Sequence, residues 1–168
     1  MLAYNSACRS KKVVGVIATT LADPRTKEAR DALARNVLFS RVGFFMLSTM
    51  PRLGDWISVK AKSISRLEAM TNDPEFSQVF IDDDLVGGKV ISMKFYHSMS
   101  EYNPEIRPED FTICPVLLAH PAADRWTPYE VSKGFFDRIA GEKTLVHLEN
   151  CGHLPYEEPG VSQFYHAI

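Results

Sequence analysis

Apolar positions along this chain follow two different patterns. Near the start and in the last third they form short unbroken runs: VVGVIATT at 13–20, VLLAH at 116–120 after Pro115, and TLVHL at 144–148. Continuous runs of this length, rich in β-branched residues, predict parallel strands buried on both faces. Between the last two runs the period lengthens, with Val131, Phe135 and Ile139 on one helical face. Thr127 as N-cap, Pro128 in the first turn and Glu130 three residues after Thr127 mark the start of that helix. Gly141 is expected to end it in the left-handed conformation. Pro159 then opens a last helix carrying Val161, Phe164, Tyr165 and Ile168.

The middle of the chain reads differently. From about residue 25 to 110 the spacing is helical throughout, with Ala29, Leu33 and Val37 on one face, Ile64, Leu67 and Met70 on another, and Ile91, Phe95 and Ser98 on a third. Asn72-Asp73-Pro74 and Asp82-Asp83-Asp84 punctuate it. Strand, helix, strand, helix with short connections is the arithmetic of a parallel sheet covered by helices. A long helical stretch between two strands of one sheet has the outline of a lid or cap. The expected organisation is therefore a partial α/β core at 1–24 and 111–168 and a helical insertion at 25–110.

Candidate chemistry gathers where two of the strands end. Asp124 follows the 116–120 strand and His153 follows the 144–148 strand, so both are expected at the edge of a parallel sheet where ligands bind. A carboxylate accepting the Nδ1–H of an imidazole holds one tautomer and leaves Nε2 to take a proton from a nucleophile. Taken singly, Asp124 reads as a turn residue and His153 as a loop histidine. Their joint placement favours the acid–base pair. His120, before Pro121, reads as a packing and hydrogen-bonding group, and His147 as a half-buried strand histidine. Cys151 is too close to His153 on one loop to line up as its nucleophile. Asp82, Asp83, Asp84 and Gly87 resemble a calcium loop but lack its closing acidic residue, so a solvated capping loop is expected.

The stretch Asp-Arg-Trp-Thr-Pro at 124–128, with Gly152-His153-Leu154-Pro155 and Glu157-Glu158-Pro159, resembles the C-terminal signature of α/β-hydrolases, in particular the lysophospholipase and monoacylglycerol-lipase-like branch. The resemblance implies an α/β fold, the C-terminal part of an α/β-hydrolase parallel sheet with a helical lid insertion. It implies an esterase or lipase in which Asp124 is the triad acid and His153 the general base, with no cofactor and no metal. The family order is Ser, then Asp or Glu, then His, the serine lying in a Gly-x-Ser-x-Gly elbow. No such motif occurs in this sequence. The opening MLAYNSA resembles the helix that follows the elbow, so the expectation is a truncated chain that is inactive alone. Two other readings stay open: an aspartate nucleophile, as in dehalogenases and epoxide hydrolases, or a non-catalytic fold fragment acting as an interaction module. Phe39, Phe44, Phe45, Met46, Leu47 and Met50 read equally as an acyl pocket or as ordinary lid core.

Composition narrows the partners. The 168 residues are 45% hydrophobic and 24% charged, which fits one globular domain rather than a disordered chain. A net charge of -2, with Arg9, Lys11, Lys12, Arg25 and Lys27 not interleaved with aromatics, argues against nucleic acid. The run at 44–47 is far shorter than the roughly 20 residues a membrane span needs. Residues 1–12 lack an apolar signal region, and three cysteines without paired spacing suggest reduced thiols and a cytoplasmic location. The expected partners are a small acyl ester and, through an exposed strand edge, another copy of the chain.

Overall fold

A computed structural model describes residues 1–10 and 12–168, leaving Lys11 and the side chains of Pro51 and Leu53 outside the described residues. In chain order the elements are α1 (Leu2–Arg9), β1 (Val16–Ala18), α2 (Lys27–Leu33), α3 (Val37–Thr49), β2 (Ser58–Lys60), α4 (Ala61–Ile64), α5 (Pro74–Asp82), β3 (Val90–Ser92), α6 (Met93–Glu101), β4 (Val116–Pro121), α7 (Tyr129–Phe136), β5 (Lys143–Leu148) and α8 (Gly160–Ala167). They fall into two compact units, Met1–Asp23 with Asn103–Ile168, and Pro24–Tyr102.

The first unit is a three-stranded parallel sheet in the order β1-β4-β5. Alternate side chains of β4 point to opposite faces, as the pleat demands. Val116 and Leu118 pack with Tyr4 of α1 and Phe135 of α7, whereas Leu117 and Ala119 pack with Phe164 of α8. Burial on both sides is why the β4 sequence is apolar without interruption. Tyr4 centres the first face: its ring lies 4.6 Å from Phe111 and 4.9 Å, edge-on, from Phe135, and its hydroxyl donates to Ile106 O at 2.9 Å.

The strand expectations and Gly141 need correction in this unit. In β5 only Leu148 is buried, although burial on both faces is expected, because the strand is paired on one side only. The first strand covers only Val16–Ala18, and Val14 is 92% exposed, because β1 has a hydrogen-bonded neighbour on one side only, and its ladder with β4 runs no further than Val16, Ile17 and Ala18. Gly141 is not left-handed, since no glycine among the described residues has positive φ. Its lack of a side chain serves a close approach instead: a Cβ there would sit 2.8 Å from Phe111 O, the carbonyl that accepts its own N–H.

The second unit is not wholly helical. β2 and β3 pair antiparallel, Val59 opposite Ile91, so Ile91 is a strand residue and shares no helical face with Phe95 and Ser98. Ala29 and Leu33 lie on α2, but Val37 begins α3, because Asn36 interrupts the helix and caps the next one by accepting Phe39 N–H at 3.0 Å. Ile64 ends a four-residue helix and Leu67–Ala69 is a separate 3-10 turn. The acidic punctuation does cap and turn: Asp73 accepts the N–H groups of Glu75 and Phe76, and Asp83 those of Leu85 and Val86. On α3 only Leu47 is buried, while Phe39, Phe45, Met46 and Met50 are exposed.

Candidate active site

Parallel register brings the two sequence-predicted residues together. His120 of β4 lies opposite His147 of β5, and Pro121 opposite Leu148, so the two strands end side by side and point the same way. The loops beyond them are tied by backbone. Ala122 N–H donates to Leu148 O at 2.8 Å and Ala123 N–H to Cys151 O at 3.0 Å, which sets the start of one loop against the other. Asp124 and His153 are the first ionisable side chains past that clamp on each loop. Asp124 Oδ2 accepts from His153 Nδ1 at 2.9 Å.

The carboxylate is saturated. Oδ1 accepts the N–H groups of Trp126 and Thr127, each at 2.8 Å, and Oδ2 accepts the Thr127 hydroxyl at 2.8 Å as well as His153. These four bonds match the roughly four lone-pair sites of an ionised carboxylate. The Asp124 side chain is fully buried. Burial alone pushes its carboxyl upward, but the His153 and Thr127 hydrogen bonds outweigh that and hold it below the ordinary carboxylate range. Asp124 is therefore an acceptor only, and the proton between it and His153 sits on Nδ1. Nε2 makes no hydrogen bond among the described residues, and the Trp126 and His153 rings meet in a T-shaped contact with centroids 4.8 Å apart.

The His153 loop is braced by α8 and the residues that lead into it. Glu157 accepts Gly152 N–H at 3.1 Å, Cys151 donates its thiol to Glu157 O at 3.1 Å, and Asn150, at φ 58°, donates its amide to Glu158 O at 3.1 Å. Gln163 accepts Glu149 N–H at 2.8 Å. The Glu157-Glu158-Pro159 stretch thus holds the loop that carries the imidazole. Burial raises the Cys151 thiol above its usual range, which makes it a poor nucleophile.

His120 and His147 make no hydrogen bond to this pair. His120 is fully buried, its Nδ1 3.0 Å from Pro121 O and its Nε2 without a partner. His147 is exposed rather than half-buried, because β5 carries a neighbour on one side only, and its ring meets Tyr129 edge-on at 4.9 Å. Thr127 is the residue whose place the sequence misassigned. It does not cap α7, which starts at Tyr129 with Pro128 as N-cap and no side-chain capping bond. The signal for its true position was its spacing, three residues after an acid in a turn that returns its backbone N–H and hydroxyl to that acid. Among the described residues no cluster of His, Cys, Asp and Glu could hold a metal ion, and no helix is long and apolar enough to cross a membrane.

Comparison with known families places the chain. Residues 13–160 match the family model described as "Serine aminopeptidase, S33". The chain belongs to that family. It shares its fold with solved α/β-hydrolase structures. One is the monoacylglycerol lipase of Paleococcus ferrophilus, at 22% identity and a TM-score of 0.62, with 96% of this chain and 58% of that one covered. A second is a soluble variant of monoglyceride lipase from Saccharomyces cerevisiae in complex with a substrate analog, at 15% identity and a TM-score of 0.68, with 98% and 58% covered. A third, DcsB in complex with its substrate analogue, has 17% identity and a TM-score of 0.56, with 96% and 58% covered. The chain thus spans 58% of the length of each of these structures. No curated protein matches it. As a member of the S33 family it is an α/β-hydrolase, and its parallel sheet with flanking helices is part of that fold.

Proposed function

We propose that this chain supplies the acid and base of a serine ester hydrolase acting on small acyl esters such as monoacylglycerols, with Asp124 orienting His153 and His153 Nε2 relaying the proton. The observation that carries the reading is the 2.9 Å contact between a buried, hydrogen-bond-saturated carboxylate and an imidazole whose Nε2 has no partner among the described residues. In the ester reaction Nε2 takes the proton of a serine hydroxyl as its oxygen attacks the acyl carbon. It then returns that proton to the departing alkoxide, and the Asp124 charge stabilises the imidazolium in between. No Gly-x-Ser-x-Gly occurs in this sequence, and the reading takes the elbow and its oxyanion donors from outside the 168 residues. The Pro24–Tyr102 unit, inserted between β1 and β4, is read as the lid of that enzyme, and substrate selection is assigned to it.

The chain alone is expected to hydrolyse p-nitrophenyl esters and monoacylglycerols no faster than buffer. Fused behind a strand and Gly-x-Ser-x-Gly elbow segment from a monoacylglycerol lipase, it is expected to gain turnover. His153→Ala should then abolish that turnover, and Asp124→Asn should lower it by about four orders of magnitude. Turnover by the chain alone that disappears in His153→Ala would mean the nucleophile lies within it. Turnover of the fusion that ignores both substitutions would remove the acid–base assignment.

A further inference from the structure

Thr127 stands at the centre of the site without a role in the ester reaction. Its oxygen lies 2.8 Å from Asp124 Oδ2 and 3.0 Å from His153 Nδ1, while those two atoms are 2.9 Å apart. The three atoms form a nearly equilateral triangle. Only two polar hydrogens belong to it, the threonine hydroxyl proton and the imidazole Nδ1–H, because an ionised carboxylate contributes none. The hydroxyl proton goes to the carboxylate, the stronger acceptor. That turns the threonine lone pairs toward Nδ1, so the imidazole N–H faces two acceptors at once. The residue is 2% exposed and makes no capping bond to α7, so its hydroxyl is committed to this triangle.

We propose that Thr127 is a positioning residue that, together with Asp124, locks His153 in the Nδ1–H tautomer and leaves Nε2 as the basic nitrogen. The inference rests on reading Asp124 and His153 as an acid–base pair. A carboxylate oxygen alone gives Nδ1–H one acceptor, about which the ring can swing. A second acceptor 3.0 Å away closes that freedom, because with the hydroxyl proton held by the carboxylate a lone pair at Nδ1 would meet lone pairs of both oxygens with no proton between them. The Trp126 ring, in T-shaped contact, bounds the imidazole as well. Valine matches threonine in shape but offers no lone pair. Serine offers the hydroxyl without the methyl.

The test is the tautomer itself, read from two-bond proton–nitrogen correlations on the chain labelled with nitrogen-15 histidine, at a pH where His153 is neutral. Wild type is expected to show Nδ1–H, with Nε2 unprotonated. Thr127→Val should shift the ratio toward Nε2–H by about fivefold, the worth of one neutral hydrogen bond. Thr127→Ser should keep the wild-type pattern, and Asp124→Asn should turn the ring to Nε2–H. If Asp124→Asn changes the tautomer and Thr127→Val does not, the threonine has no such role and the acid–base pair stands. If neither changes it, the pair itself is wrong. A serine variant that shifts toward Nε2–H relative to wild type would assign the effect to the methyl and overturn the proposal, even if the valine variant does not fold.

Discussion

At the scale of single residues, the site separates a carboxylate built to stay charged from a histidine built to stay neutral. Asp124 has every lone pair answered, so its charge is tolerated in a buried position. His120, four positions earlier and fully buried, has an Nε2 with no partner. Burial lowers its affinity for a proton below the ordinary histidine value of 6.5, more than the nearby Pro121 carbonyl and Asp124 charge restore. The folded chain therefore binds this proton less tightly than the unfolded chain does. Stability is complete above about pH 6.5 and falls as pH drops from there toward the lower folded value, since the unfolded state takes up the proton first. His120→Gln removes the titration. Urea unfolding at steps between pH 8 and pH 5 is expected to show wild type losing stability below about 6.5 faster than the variant does. Equal losses in both proteins would show that His120 is not a source of acid lability.

At the scale of elements, the His153 loop and α8 act as one piece, and Gly160 is where they touch. A Cβ on Gly160 would collide with Cys151 Sγ and stand 2.6 Å from Glu149 O, both on that loop. The helix and loop are also joined by the bond from Glu149 N–H to Gln163. A methyl group here has no flexible neighbour to displace, because Cys151 is fully buried and the other contact is backbone. Gly160→Ala is expected to cost about 1–3 kcal/mol or more. It should also disturb the imidazole, seen as a moved His153 ring resonance. Gly134→Ala is the comparison, since nothing lies within 4 Å of a Cβ there and alanine favours the helix. An alanine at 160 that left both melting temperature and the His153 resonance unchanged would show the packing to be looser than these distances imply.

At the scale of the molecule, the parallel sheet of the first unit has a β1 edge that no described strand covers. Val16 N–H donates to Pro115 O on the β4 side, so the alternation of a parallel ladder turns the Ile17 N–H and C=O toward the open edge. Ile17 is exposed, and Val16–Ala18 contains no charge or proline to guard it. The expected outcome is reversible dimerisation of the 168-residue chain through this strand, visible by light scattering during size-exclusion chromatography. Ile17→Pro removes the outward donor and spares the β4 ladder, and should weaken the dimer by roughly tenfold or more. A monomer at all accessible concentrations, or a dimer indifferent to that substitution, would dismiss the edge as an interface.

The sequence by itself determined the parallel core and the juxtaposition of Asp124 and His153. A run buried on both faces carries its own signature at β4, β5 is apolar enough to pair beside it although only Leu148 is buried, and a short loop after each strand end leaves Asp124 and His153 little room to be anywhere else. Other features were decided only in three dimensions. Thr127 looks like a helix cap because its spacing to Glu130 fits one, yet its hydroxyl goes to a buried charge that binds it more strongly than a backbone N–H donor at a helix end. Gly141 looks like a left-handed cap, yet it is needed for the approach of Phe111, a residue thirty positions away whose closeness no local pattern records. The β2–β3 pairing joins segments about thirty residues apart, each only three residues long, too short to show a period. β1 ends where β4 stops supporting it, because the length of a strand belongs to the pair and not to the run of apolar residues that proposes it.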